Sequence, residues 1–237
     1  MPEVIPKPKW REAVDLAASV GMIVVAALVA WTLLVKPRAV PELQPRTPAR
    51  AIPVEPVSFD GAAIDGKADA QITVIEFSDF QCPYCASFAR DVLPELRTKF
   101  VHAGMVQFAF LHLPGGIHDR AERAAQAAEC AGKQQAFWPM HDRLFEGYKA
   151  LDEQSLRNYA KGASLSLPSF EGCMRAAQPE TLKLGPDRAS KIGIAGTPTF
   201  LIGRTQPNRL VKVSDVLVGA RSLADFQAVF DKLLRSE

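Results

Sequence analysis

Two cysteines three positions apart, Cys82 and Cys85, form the motif Cys-Pro-Tyr-Cys. A C-x-x-C pair between a strand pattern and a helix pattern is typical of a dithiol redox centre. Pro83 suits the first position of a helix, so Cys82 would lie at the helix N-terminus, where free amides and the macrodipole lower the pKa of a thiol. Cys85, one turn later, would be within bridging distance and less exposed. The spacing predicts thiol-disulfide exchange, with Cys82 as the nucleophile and Cys85 as the resolving thiol.

A carboxylate, Glu76, interrupts the apolar run that precedes the cysteines. Burying a carboxylate is costly unless it has a partner or a role. Glu76 is therefore a candidate for a buried acid that exchanges a proton with Cys85. The alternative is an exposed glutamate at a strand edge.

A second signature is the stretch GIAGTPTF, in which Pro198 opens a predicted strand and Thr197 precedes it. A cis peptide bond before proline costs only about 0.5 to 1 kcal/mol. Placed opposite the cysteines, a cis Thr197–Pro198 bond would leave the Thr197 backbone free to pair with an extended substrate and would keep the sulfurs from binding a metal. The alternative is a trans proline at the start of an edge strand.

The elements around the cysteines have the pattern of a βαβ unit. Residues 72–80 are apolar and β-branched, as in a buried strand, and residues 105–114 are a second strand candidate. Between them, apolar residues from Phe88 to Phe100 recur at helical spacing, and Pro94 should kink that helix. The two strands of such a unit are expected to be parallel.

The remainder of the chain predicts a helical block followed by two strands and a helix. Residues 119–192 are rich in alanine and poor in β-branched runs. Residues 197–203 and 211–219 have strand patterns. The last segment is amphipathic, with Ser222 as a candidate N-cap.

The N-terminal part contains a membrane candidate. Residues 16–35 carry no charge, and 20 helical residues suffice to cross a hydrocarbon core of about 30 Å. We therefore expect a tail at 1–15, an uncleaved transmembrane anchor at 16–35, a proline-rich linker at 36–57 and a folded domain at 58–237, with a helical insertion at about 118–192. A cleaved signal peptide or a buried core helix are the alternatives, although the apolar run is longer than a signal h-region and no convincing A-x-A cleavage site follows it. Lys and Arg flank both ends, so their distribution does not set the orientation.

The net charge and the spacing of the histidines argue against a nucleic-acid-binding protein and against a metal site. The formal net charge of +2 and the lack of a Lys/Arg run with aromatics argue against a nucleic-acid surface. The histidines show no metal-ligand spacing, so we expect neither a metal nor a cofactor. One of them, His118, begins the helical block and is the one to test near the cysteines. The four histidines are His102, His112, His118 and His141.

Three stretches, EFSDFQCPYC, AAECAGKQQAFWPMHDRLF and GIAGTPTF, in this order, resemble the DsbA-like thioredoxin-fold oxidoreductases. The resemblance covers roughly residue 57 to the C-terminus. It implies an α/β thioredoxin fold with an inserted helical domain, here preceded by one transmembrane helix. It also implies oxidation of reduced cysteines in exported bacterial proteins, by a domain in the periplasm or another extracytoplasmic space, anchored in the inner membrane. A DsbB-like membrane partner would accept the electrons.

The resemblance assigns roles to residues of this chain. Cys82 is the nucleophile, Cys85 the resolving thiol and Glu76 the buried acid, while Thr197 and Pro198 form the substrate loop. We expect substrate to contact Pro83 and Tyr84 as well. Some relatives have a second, structural disulfide, for which Cys130 and Cys173 are the candidates. Two buried reduced thiols are the alternative for that pair.

The direction of electron flow stays open at this point. The Pro-Tyr dipeptide differs from the Pro-His of the strongest oxidases, and threonine before the proline also occurs in isomerase-type relatives. A disulfide reductase or isomerase on the same fold is therefore an alternative, and a copper or zinc carrier with Cys82 and Cys85 as ligands is another. An isomerase normally has a dimerisation domain before the thioredoxin fold, whereas only the apolar span and the linker precede it here, which favours a monomeric domain.

Overall fold

The structure, a computed structural model, describes residues 52–235. The predicted tail, the membrane anchor and most of the linker lie outside the described residues. Within residues 52–235, no helix combines the length and the apolar character that a membrane crossing requires.

A six-stranded mixed sheet forms the centre of the domain, with strand order β1-β6-β5-β3-β4-β2. β3 is buried along its whole length and pairs with β4 in parallel, which confirms the predicted βαβ unit. β5 and β6, also predicted, pair antiparallel on the other side of β3. The strands are β1 (Val57–Ser58), β2 (Ala63–Asp65), β3 (Ile72–Ser78), β4 (Val106–His112), β5 (Thr199–Gln206) and β6 (Leu210–Val218).

Helices surround the sheet, and the predicted helical block contains five of those described. The helices are α1 (Pro83–Asp91), α2 (Leu93–Leu96), α3 (Ala121–Gly132), α4 (Phe137–Glu146), α5 (Glu153–Gly162), α6 (Leu167–Arg175), α7 (Thr181–Lys191) and α8 (Leu223–Arg235). Helices α3 to α7 form the helical block, and α8 is the C-terminal helix.

The helix after the cysteines is interrupted, as the position of Pro94 predicts. Val92 leaves the helical conformation between α1 and α2, and Pro94 lies in the first turn of α2, where its missing amide is not needed. A π-helical turn, Arg97–Val101, follows directly. The sequence pattern did not reveal this turn, because the apolar residues continue at nearly the same spacing through it.

The two faces of the sheet bury different helices. On one face, Phe88 of α1 packs with Phe200 of β5 and Phe226 of α8, with ring centroids 4.5 to 5.5 Å apart. On the other face, Ala189 of α7 lies in the cluster of Ile75 and Phe77 from β3. The sheet thus lies between two apolar layers, and the cysteines at the start of α1 belong to a third apolar cluster, which contains Phe80 and Ala124.

The C-terminal helix begins with a reciprocal cap at Ser222, as predicted. The Ser222 hydroxyl accepts a hydrogen bond from the Asp225 amide (3.3 Å), and the Asp225 carboxylate accepts one from the Ser222 amide (3.0 Å). These bonds satisfy donors that a helix start leaves free.

A disulfide between Cys130 and Cys173 joins α3 to α6 within the helical block. The two residues are 43 positions apart, and Cys130 is buried. A cross-link of this span restricts the unfolded chain and stabilises a protein by about 2 to 4 kcal/mol.

We therefore expect the double variant Cys130→Ala/Cys173→Ala to lose about 2 to 4 kcal/mol of the free energy of unfolding. The measurement is urea denaturation of both proteins in a Cys82→Ser background, so that the other cysteine pair cannot form a disulfide. A reductant should destabilise the parent to the same extent and leave the double variant unchanged. A variant as stable as its parent would show that the bridge does not constrain the unfolded chain.

Candidate active site

The cysteine pair lies where β3 ends and α1 begins. Cys82 is the N-cap of α1, and Pro83 is at its first position, as predicted. Cys82 is 5% exposed and Cys85 is fully buried, whereas Tyr84 between them is 66% exposed. Both thiols are free. Cys82 therefore keeps a small exposed surface beside the exposed ring of Tyr84, whereas Cys85 has none.

The surroundings shift the pKa values of the two thiols in opposite directions. A hydrogen bond from the Cys85 thiol, assisted by the backbone amides of Cys85 and Tyr84, lowers the pKa of Cys82 to about 6, although partial burial opposes the shift. Burial, followed by the hydrogen bond to Cys82 and the charge on that sulfur, raises the pKa of Cys85 well above its usual range. At neutral pH the accessible sulfur is thus a thiolate and the buried one a thiol.

Glu76 is buried in the middle of β3, at 1% exposure, and not at a strand edge. Burial raises the pKa of its carboxyl group to about 8, although the neighbouring Ser78 hydroxyl and, to a smaller extent, the positive charge of Arg97 oppose this. Within residues 52–235, neither carboxyl oxygen has a hydrogen-bond partner. A negative charge on Cys82 raises the pKa of Glu76, and negative charges on Cys82 and Glu76 raise the pKa of Cys85. The three groups therefore share one electrostatic environment.

The Thr197–Pro198 segment lies against the first cysteine. The peptide bond between these residues is cis. The sulfur of Cys82 is 3.6 Å from the carbonyl oxygen of Thr197, within reach of an S–H···O contact. Pro198 precedes β5, and its carbonyl accepts a hydrogen bond from the Gly219 amide (2.8 Å) just after β6. Two distant parts of the chain, residues 82–85 and 197–198, therefore meet at one place.

A residue that the sequence analysis did not single out, Asp79, organises the turn before Cys82. Its side chain is fully buried. One carboxylate oxygen accepts a hydrogen bond from the Gln81 amide (2.7 Å), and the other accepts from the Gly115 amide (2.6 Å) and His118 Nδ1 (2.7 Å). The signal available in the sequence was an acidic residue directly after an apolar strand and before the cysteines.

Two other histidines, His112 and His141, which were not predicted to belong to the site, have separate environments. His112 bonds to Glu129 (2.9 Å) and His141 to Asp142 (2.8 Å), so both are engaged in the helical block. Burial lowers the pKa of His141 to about 4, which keeps its imidazole neutral. In the described part of the chain, no cluster of three or more His, Cys, Asp or Glu side chains could hold a metal ion.

Comparison with known proteins agrees with this architecture. Residues 60–217 match the family model described as Thioredoxin. Disulfide bond formation protein D of Bacillus subtilis is 30% identical over 155 residues, which cover 61% of this chain and 69% of that protein. The crystal structure of oxidised BdbD from Bacillus subtilis superposes with a TM-score of 0.63 at 25% identity, covering 77% of this chain and all of that one.

A relative of a different kind is Na(+)/H(+) antiporter NhaA 1 of Salinispora arenicola, which is 34% identical over 207 residues. The match covers 79% of this chain but only 29% of the antiporter, so the chain spans less than a third of that relative's length. By the family model, which spans more than half of the sequence and agrees with the disulfide bond formation protein and the shared fold, the chain belongs to the thioredoxin family.

Proposed function

We propose that this chain oxidises pairs of cysteines in exported proteins by transferring the Cys82–Cys85 disulfide to them. The observation that carries the proposal is the lowered pKa of Cys82, to about 6, beside a Cys85 whose pKa is raised. Stabilising one thiolate stabilises the dithiol form of the pair. A pair whose reduced form is stabilised is a strong oxidant, because its disulfide is readily reduced.

The exchange proceeds in two steps. A substrate thiolate attacks the sulfur of Cys82, a substrate–Cys82 bond forms, and the Cys82–Cys85 bond breaks with Cys85 as leaving group. A second substrate thiolate then attacks the substrate sulfur of the mixed disulfide and releases Cys82 as a thiolate. The substrate loses two electrons and gains a disulfide, and the enzyme pair gains both electrons.

Glu76 supplies the proton that the first step requires. Cys85 leaves as a thiolate in a buried place where its charge is costly, as its raised pKa indicates. A carboxyl group with a pKa of about 8 is still protonated at neutral pH and can protonate that sulfur. On reoxidation the same group takes the proton back.

The substrate chain is proposed to lie along Thr197 and Pro198 and to contact Pro83 and Tyr84. The contact between Cys82 and the Thr197 carbonyl puts this segment beside the reacting sulfur, and Tyr84 offers an exposed ring there. We further propose that residues 16–35 anchor the chain in the inner membrane, with the catalytic domain on the extracytoplasmic side. A DsbB-like membrane protein would reoxidise the pair, and the domain would act as a monomer.

The first test is the reduction potential of the Cys82–Cys85 pair as a function of pH. Below pH 6, reduction takes up two protons, so the potential should fall by about 59 mV per pH unit; above pH 6, where Cys82 stays a thiolate, it should fall by about 30 mV. The measurement is equilibration of the full chain with glutathione buffers from acid to mildly alkaline pH. A single slope of about 59 mV through neutral pH would show that Cys82 is not a thiolate there.

The value at neutral pH decides the direction of electron flow. A potential well above that of the glutathione couple supports the oxidase. A potential well below it would mean that the pair donates electrons, and the proposal would be replaced by a reductase or isomerase.

A further inference from the structure

The loop between β4 and α3, residues 113–120, is tied to the turn that carries Cys82. Asp79 holds it by accepting hydrogen bonds from the Gly115 amide and His118 Nδ1 (2.6 and 2.7 Å). Asp79 also holds the turn, because its backbone carbonyl accepts from the Cys82 amide (3.1 Å). One buried residue therefore fixes the nucleophile and the loop to each other.

A second residue repeats this connection. Gln81, directly before Cys82, donates to the Asp119 carboxylate (3.0 Å) and accepts from the Arg120 amide (2.7 Å). At Gly115 the loop approaches Asp79 so closely that an added Cβ would be 3.2 Å from the carboxylate. The loop cannot move far from Cys82 without breaking several hydrogen bonds, including two to a carboxylate that is fully buried.

The loop presents one large apolar side chain to solvent. Ile117 is 91% exposed, although Gly115 and Asp119, two positions before and after it, are hydrogen-bonded to Asp79 and Gln81. Tyr84, also largely exposed, is two residues after the nucleophile. The remaining large apolar side chains exposed among residues 52–235 are Ile52, Val54 and Met105, which belong to other parts of the domain.

We propose that the 113–120 loop is a docking element for the polypeptide substrate, that Ile117 is its contact residue, and that Asp79 and His118 are positioning residues that hold it beside Cys82. The proposal rests on the proposed function, since a protein thiol that reaches Cys82 brings its neighbouring residues close to this loop. The occupant is a reduced, unfolded segment with an apolar residue near its cysteine, because such a segment has not yet buried its apolar side chains.

The test compares a two-cysteine peptide with leucines next to the cysteines, the same peptide with serines in their place, and dithiothreitol. The full chain oxidises each in the presence of oxidised glutathione, which takes the two electrons from the Cys82–Cys85 dithiol and restores its disulfide, and kcat and KM are measured separately. For the leucine peptide, Ile117→Ser should raise KM by about five- to tenfold and leave kcat unchanged, because only ground-state docking is lost. The serine peptide and dithiothreitol should react with the variant as with the parent. Val54→Ser is the matched control, since Val54 is equally exposed (93%) and aliphatic; it should change nothing.

The positioning role has its own variants. His118→Ala removes the donor to Asp79, and it should raise KM for the leucine peptide as Ile117→Ser does. His118→Asn should restore the parent KM, because the asparagine amide nitrogen can occupy the place of Nδ1. Asp79→Asn keeps an oxygen for the Gln81 amide but turns an NH2 group toward the donors of Gly115 and His118, so it should behave like His118→Ala.

The outcomes separate this proposal from the one it rests on. If the parent oxidises both dithiothreitol and the leucine peptide while Ile117→Ser has the parent KM, the docking role is wrong and thiol-disulfide exchange stands. If His118→Asn fails to restore the KM that His118→Ala raised, the positioning role of His118 through its hydrogen bond to Asp79 is wrong, and thiol-disulfide exchange stands. A parent that oxidises neither compound overturns both proposals.

Discussion

The variant Cys82→Ser is expected to lose thiol-disulfide exchange, with a rate at least on the order of 10³-fold below that of the parent. A serine hydroxyl is not ionised at neutral pH, whereas the pKa of Cys82 is about 6, so the variant has no nucleophile at the accessible position. It also has no disulfide to transfer. The measurement is oxidation of a reduced two-cysteine peptide, followed by the loss of its free thiols.

The matched variant Cys85→Ser keeps the nucleophile and removes the resolving thiol. Cys82 should attack a peptide disulfide, bind one half and release the other as a thiol, and this mixed disulfide should accumulate because no second thiol displaces it. It is seen on a non-reducing gel and by mass. If instead Cys82→Ser forms the stable mixed disulfide and Cys85→Ser does not, the roles of the two cysteines are reversed.

Local patterns were sufficient for the residues that we propose to carry the chemistry. The strand, the two cysteines and the proline at the first helical position are within a few residues of each other, so short-range rules place the sulfurs at a helix start. A glutamate within an apolar run pointed to a buried carboxyl group, and the structure has Glu76 at 1% exposure. These inferences required only the immediate neighbours of each residue.

Contacts between residues far apart in the chain could not be predicted from such local patterns. Asp79 and His118 are 39 positions apart; the sequence singled out His118 as the histidine to test near the cysteines, but nothing in it indicated Asp79 as the partner. The short edge strands β1 and β2 were also missed, since two or three residues are too few to show a period. Their pairing is decided by the neighbouring strands β6 and β4, which supply the partners.

Glu76→Gln is expected to stabilise the oxidised protein by on the order of 4 kcal/mol at pH 8 and to have little effect near pH 4.5. The folded state raises the pKa of Glu76 from 4.5 to about 8, mainly through burial. Between these values the unfolded chain has released the proton while the folded protein retains it, so stability falls as pH rises. Glutamine resembles the protonated carboxyl group at every pH and removes this dependence.

The comparison uses the oxidised protein because, in the reduced protein, the ionisation of Cys82 makes stability rise with pH, opposite to the effect of Glu76. The pKa of Cys82 is lowered from 9.0 to about 6, so the reduced folded state gains stability as pH rises between these values. From pH 6 to 8 the two contributions oppose each other, and the stability of the reduced protein should be nearly independent of pH.

Urea denaturation of the oxidised parent and of Glu76→Gln from pH 4.5 to 8.5 gives the comparison. The control is Glu146→Gln, because the Glu146 side chain is exposed. An oxidised parent whose stability does not fall across this range would show that Glu76 is ionised in the folded state, and the buried carboxyl group could not then protonate Cys85.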